Sequence, residues 1–182
     1  MGKILTAVGI CLLVVALVLA LGNVQEANAA ETASDRILLR LKAATEEEDT
    51  PPPSSSPLLL PEEYCAILAI PALDLELPIR NTWSYDQLKS TPCREAGSIA
   101  GGDLVIAGHN YPGHFGNLHT LTPGTTAILT DNSGVRTYIL QQVRTLNPEN
   151  IDAVHQSGCS LVLYTCTVGG KNRVAAYFLE EK

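Results

Sequence analysis

From Glu62 onward the apolar residues of this chain come only in short runs, and each run is closed by turn-forming residues before a helix of ordinary length could complete. Residues 64–70, 73–79, 103–106, 126–130, 137–143, 161–166 and 173–179 are each the length of a strand. Between them stand Pro71-Ala72, Ala100-Gly101-Gly102, Pro123-Gly124, Asp131-Asn132-Ser133-Gly134 and Gly169-Gly170. Such combinations favour chain reversal, because proline fixes φ while glycine and asparagine accept positive φ. Seven short strands at this spacing predict a mainly β domain over residues 62–182, closed or sandwich-like, with few helices. Helical interruptions fit best at residues 84–88 and 148–156.

The first 61 residues are of another kind. Residues 4–21 form an uncharged apolar run after Lys3. At about 1.5 Å per residue, this run just crosses a hydrocarbon core of about 30 Å. A cleaved signal peptide shares the shape, and Ala27-Asn28-Ala29 supplies small residues near a cut. The run exceeds the usual signal core of about 7–15 residues, which favours an uncut anchor over residues 1–24. Both readings place the rest of the chain outside the cytoplasm. Residues 25–61 read as a spacer. Ile37, Leu38 and Leu41 could share one face of a short amphipathic helix, although a solvated stalk is the favoured reading. Four prolines in residues 50–57 lack backbone donors and predict an extended linker of limited flexibility.

Composition excludes one class of partner. The net charge is −7, with 12 Lys and Arg against 19 Asp and Glu. No basic run of five or more occurs, so the clustered cations that phosphate binding needs are missing and nucleic acid is not expected. Of the five cysteines, Cys11 falls in the apolar run and Cys65, Cys93, Cys159 and Cys166 follow it. No Cys-x-x-Cys spacing points to a metal. A Cys65–Cys93 bridge is open, whereas a nucleophilic cysteine has to stay reduced.

The last two strands carry the chemistry. If residues 161–166 and 173–179 form an antiparallel hairpin, Cys166 faces Arg173 across its mouth, with Cβ atoms about 5 Å apart. A nearby cation favours the thiolate, which is the attacking form of a cysteine. The same guanidinium could instead bind a substrate carbonyl or a developing oxyanion. A cysteine that cuts a peptide bond also needs a proton donor for the departing amine. His109 follows a strand through Ala107-Gly108, where a rigid element delivers a side chain to a loop edge. His109, His114 and His119 recur every five residues, but Pro112-Gly113 breaks any helix between them, so no metal site is expected.

These residues resemble a known family. Ala107-Gly108-His109-Asn110, then Phe115-Gly116-Asn117-Leu118 with Leu121, and Leu163-Tyr164-Thr165-Cys166 with Arg173 look like the sortases of Gram-positive bacteria. Ile70-Pro71 and Leu77-Pro78-Ile79 resemble that family's opening strands, and the likeness covers about residues 64–178. It implies a closed eight-stranded β-barrel with short helices, preceded by a transmembrane helix and linker, and a cysteine transpeptidase without cofactor. By the resemblance, Cys166 attacks a sorting signal such as Leu-Pro-x-Thr-Gly and forms a thioester, His109 moves the protons, and Arg173 binds the substrate backbone and oxyanion. Thr165 and Asn110 would adjoin the substrate, and His114 would contact it or pack. The expected partners are surface proteins carrying a sorting signal and an amine of a cell-wall precursor or pilin lysine. Val162 departs from the signature Thr-Leu-x-Thr-Cys at its first position. No Asp-Pro-aromatic lid is present, which favours cell-wall attachment or a specialised substrate over pilus building. A hydrolytic cysteine peptidase and a non-catalytic surface β-module are the competing readings.

Overall fold

A computed structural model describes residues 2–46 and 60–181; the Pro/Ser-rich linker expected over residues 50–57 lies outside them. Eight strands close into a barrel in the order β1-β2-β3-β4-β7-β8-β6-β5. They are β1 (Tyr64–Ile70), β2 (Leu75–Arg80), β3 (Cys93–Ala96), β4 (Leu104–Ala107), β5 (Thr126–Asp131), β6 (Gly134–Leu146), β7 (Leu161–Cys166) and β8 (Arg173–Glu180). All neighbours run antiparallel except β2–β3 and β4–β7. The expected closed barrel is therefore present, and its eighth strand is β3. That strand reads Cys-Arg-Glu-Ala and carries no apolar alternation, so its pairing with β4 rather than its composition makes it a strand.

The period of two explains which side chains point where. In β7, Leu161 and Leu163 enter the barrel core with Ile106, Leu129 and Phe178. Val162 faces outward into a second cluster with Val105, Leu146, Val154 and Tyr177. Thr165 continues the inward row and Cys166 the outward one. The outer cluster is covered by the β6–β7 connection, whose short helix α3 (Asp152–His155) is tied down by the Tyr177 hydroxyl donating to the Ala153 carbonyl at 3.0 Å. Helix α2 (Tyr85–Leu88) begins where Ser84 caps it, accepting from the Gln87 amide at 3.2 Å. The strand expected from residue 73 starts instead at Leu75. Pro71–Leu73 forms a 3₁₀ turn closed by Asp74 at φ +50°, which postpones the extended backbone.

The stalk reading of residues 25–61 is corrected over its described N-terminal part. Helix α1 runs without a break from Gly2 to Glu46 and docks on the barrel. Ala30, Ser34, Leu38 and Leu41 are all buried, and their spacing of three and four residues keeps them on one face. Leu38 and Leu41 pack with Leu60 and Ile67, and burying each leucine stabilises the contact by about 2 kcal/mol. Lys42 Nζ meets Glu76 Oε2 of β2 at 2.7 Å. Before this stripe every side chain of residues 4–21 is exposed, and the helix is long and apolar enough there to cross a membrane.

Candidate active site

Register brings the three candidate residues together. Strands β4 and β7 are parallel, with Ala107 beside Tyr164, and the ladder continues as the Gly108 amide donates to the Tyr164 carbonyl at 3.0 Å. Two residues past each partner stand His109 and Cys166, so the imidazole and the sulfur leave neighbouring strands at the same level. Neighbouring strands lie about 4.8 Å apart. On the other side of β7, Cys166 is the direct antiparallel partner of Arg173. One strand end thus places sulfur between an imidazole and a guanidinium.

The loop after His109 is held by the core. Phe115 is fully buried, and its amide donates to the His109 carbonyl at 3.0 Å. A Cβ on Gly108 would come within 2.5 Å of the Phe115 ring, so glycine is required for the strand to pass. The His109 ring stacks on Tyr111 with centroids 4.7 Å apart and planes 22° from parallel. Burial lowers the pKa of His109 below its ordinary value, the Glu26 carboxylate of α1 opposes that shift, and Lys89 adds to it. Burial first, and the Glu26 carboxylate second, raise the pKa of Tyr111.

The loop after Cys166 is a tight hairpin. The Thr167 amide donates to the Asn172 carbonyl at 2.9 Å, and the Asn172 amide donates back to Thr167 Oγ1 at 3.0 Å. Gly169 and Gly170 take φ of +79° and +72°, conformations that a Cβ would strain. Arg173 Nη1 donates to the carbonyl oxygens of Gly170 and Asn172, each at 3.2 Å. Among the described residues no carboxylate pairs with Arg173, which leaves the rest of its donor fork for a ligand.

Two hollows meet at Cys166. A groove of about 290 Å³ holds Cys166, Arg173 and Thr165, with Trp83, Glu95 and Ile151 among its walls. A wider cavity of about 640 Å³ holds Cys166, His109 and Asn110, and is walled on one side by Val24, Glu26 and Ala27 of α1. Thr165 is 2% exposed, and its Oγ1 has no hydrogen-bond partner. His114 stands apart. It is fully buried beneath α1 and lines neither hollow. Ser34 donates its hydroxyl proton to the Ser90 carbonyl at 2.9 Å, and His114 Nε2 lies 3.4 Å from that hydroxyl oxygen. Of the two alternatives for His114, the structure shows packing.

Sequence reasoning missed Glu95, Tyr111 and Glu26. Glu95 lines the groove beside Tyr164, whose phenol pKa is raised by burial first and by Glu95 second. His155 Nε2 is 3.5 Å from Glu95 Oε2, too loosely placed to count as a hydrogen bond. Tyr111 stood two residues beyond His109 and could have been noticed there. Glu26 had no local signal, since only the docking of α1 brings it near. The four cysteines outside the apolar run are unpaired, and burial pushes the thiols of Cys65 and Cys93 up to about 11. Both are therefore protonated at neutral pH.

The model of the sortase domain matches residues 68–178. The chain belongs to the sortase family. Solved sortases share its fold. Sortase D5 of Clostridium perfringens superposes with a TM-score of 0.62 at 17% identity, covering 85% of this chain and 99% of that one. Sortase E1 of Streptomyces coelicolor, solved with a tripeptide in its active site, gives 0.55 at 22% identity over 67% of this chain and 90% of that one. Sortase A of Corynebacterium diphtheriae gives 0.56 at 18% identity over 65% of this chain, and the match spans 61% of that protein's length. No curated protein matches in sequence. The family is one of cysteine transpeptidases, and this sortase carries its barrel complete.

Proposed function

We propose that this sortase is a membrane-anchored transpeptidase that cuts a sorting signal of the Leu-Pro-x-Thr-Gly kind through a thioester on Cys166. The observation that carries the reading is the register: Cys166 stands opposite Arg173 on β8 and level with His109 at the end of β4. Its lowered pKa leaves His109 neutral at neutral pH, the form that can take the thiol proton. The Cys166 sulfur then attacks the scissile carbonyl, and the oxyanion that develops meets the free donors of Arg173. The imidazolium gives its proton to the departing amine nitrogen, the C–N bond breaks, and a thioester remains. An incoming amine reverses these steps: His109 removes its proton as the new amide forms, and Cys166 leaves as the thiol.

The groove on the Arg173 side suits the sorting signal, since it is narrow and walled by Trp83, Ile151 and Leu146. Thr165 lines it beside the sulfur. The wider His109 side, with Asn110, leaves room for the acceptor, an amine of a cell-wall precursor or pilin lysine. The exposed apolar half of α1 supplies the anchor. Cleavage after Ala29 would remove Glu26 and part of the cavity wall, which supports retention of the segment.

Mass analysis of the chain incubated with a sorting-signal peptide and an acceptor amine tests the reading. The expected product is the ligated peptide, with an acyl adduct on Cys166 when the acceptor is withheld. Hydrolysed peptide alone, with an acceptor in excess, would make the protein a peptidase. Absence of any adduct would remove the catalytic reading.

A further inference from the structure

Because α1 is one unbroken helix, the docking stripe fixes how far the barrel stands from the apolar run. The uncharged apolar run ends at Leu21, and the residues of α1 that wall the His109–Cys166 cavity are Asn23, Val24, Glu26, Ala27 and Asn28. At 1.5 Å per residue, Val24 to Asn28 lie about 4 to 11 Å beyond Leu21. A headgroup layer is about 5 to 7 Å deep on each side of the hydrocarbon. The opposite end of the docked helix, at Leu41, lies about 30 Å beyond Leu21 by the same rise. The end of the barrel that holds Cys166 is therefore the end nearest the apolar run.

The same end displays apolar side chains without cover. Val168, at the tip of the β7–β8 hairpin, is 94% exposed and lines the cavity mouth together with half-exposed Val24. Lys171, on the same loop, is also exposed. A valine reaching out with a lysine beside it matches the boundary between acyl chains and headgroups, where apolar groups enter and cations meet phosphate.

We propose that the β7–β8 loop, with Val168 at its tip, rests in the headgroup layer of the bilayer that holds α1, so that the His109–Cys166 cavity opens at the lipid surface. The inference relies on α1 being the retained anchor. It also gives that anchor a second task, because the helix sets the height of the reaction above the membrane. Reactants carried in the membrane plane reach the sulfur directly, whereas a lifted barrel would hold it out of their reach.

The test uses the full chain in phosphatidylcholine–phosphatidylglycerol vesicles containing brominated lipids. Trp83 is the only tryptophan, so Trp83→Phe removes the background, and Val168→Trp or Val135→Trp then places one indole at either end of the barrel. Val135 is exposed on the β5–β6 hairpin, next to Asn132, whose Oδ1 accepts from the Leu60 amide near the far end of α1. The expected result is strong quenching and a blue shift for the indole from Val168→Trp, and neither for the one from Val135→Trp. Seven residues of helix inserted after Gly22 lengthen α1 by about 10.5 Å and keep its face within about 20°. That insertion should abolish the quenching while leaving turnover of a soluble peptide unchanged. A chain that floats with the vesicles but shows no quenching from Val168→Trp overturns the loop contact and spares the anchor. A chain that does not float overturns both.

Discussion

On the Arg173 side of Cys166 the groove is walled wholly by the barrel and its connections, from Trp83 and Glu95 to Leu146 and Ile151. On the His109 side the wall is completed by Val24, Glu26 and Ala27, which belong to a helix outside the residues matched by the family. The first wall is fixed by strand pairing and buried apolar contacts. The second depends on a docking stripe that includes one serine and a histidine buried beneath it. The difference teaches that the Arg173 side should withstand changes that loosen the His109 side.

The largest expected effect strikes both sides at once. Cys166→Ala should abolish the acyl adduct by mass analysis while leaving the melting temperature within a few degrees, since Cys166 lies on the outer face of β7. Turnover in that variant would show that the sulfur is not the nucleophile. Next, Arg173→Ala should lower kcat/KM by about a hundred- to a thousand-fold, the usual loss of one oxyanion donor. An unchanged rate would move the oxyanion site off the barrel wall.

A smaller effect sharpens the helix side. Glu26→Gln removes the carboxylate that favours the His109 imidazolium. The pKa of His109 should then fall further, and the acid limb of the pH–rate profile, where His109 gains a proton and can no longer take that of the thiol, should move to lower pH. A profile identical to that of the unaltered chain would separate α1 from the proton transfer.

Acid should part the two walls. Burial first, and the neighbouring His109 second, lower the pKa of His114 to about 4. Besides His109, the groups that face its ring are the Ser34 hydroxyl, the Ser90 and Ala30 backbones and the Tyr111 ring. An unfolded histidine binds its proton near pH 6.5, whereas folded His114 resists it down to about 4. Stability is therefore complete above pH 6.5 and declines as the pH falls toward 4. His114→Gln should flatten the melting temperature across that window, and an equal slope in both chains would exclude His114 as its source. The smallest effect belongs to His155→Ala, which should change kcat/KM by less than about two-fold, as expected for a loose, partly exposed pair.

The local patterns were legible because they depend on neighbours in sequence. Strands β1, β7 and β8 begin where turn residues and apolar alternation place them, and Ser84 marks the start of α2. Cys166 opposite Arg173 follows from one hairpin, so period and loop length were enough to find it. Strand β3 was hidden because a charged four-residue strand gains its ladder only from β2 and β4. The docked part of α1 was hidden for a related reason. Leu38 and Leu41 suggested an apolar face, but Ala30 and Ser34 are too small and polar to extend it without the surface that receives them.

By itself, the sequence determined the kind of barrel, the apolar N-terminal run and the thiol–guanidinium pair, since each rests on residues close in the chain. Tertiary structure alone decided that β4 lies parallel to β7, that His114 is sealed beneath a helix, and that Glu26 stands beside Tyr111. Those arrangements join segments tens of residues apart. Only the closing of the barrel and the docking of α1 bring them within reach of a hydrogen bond or a charge.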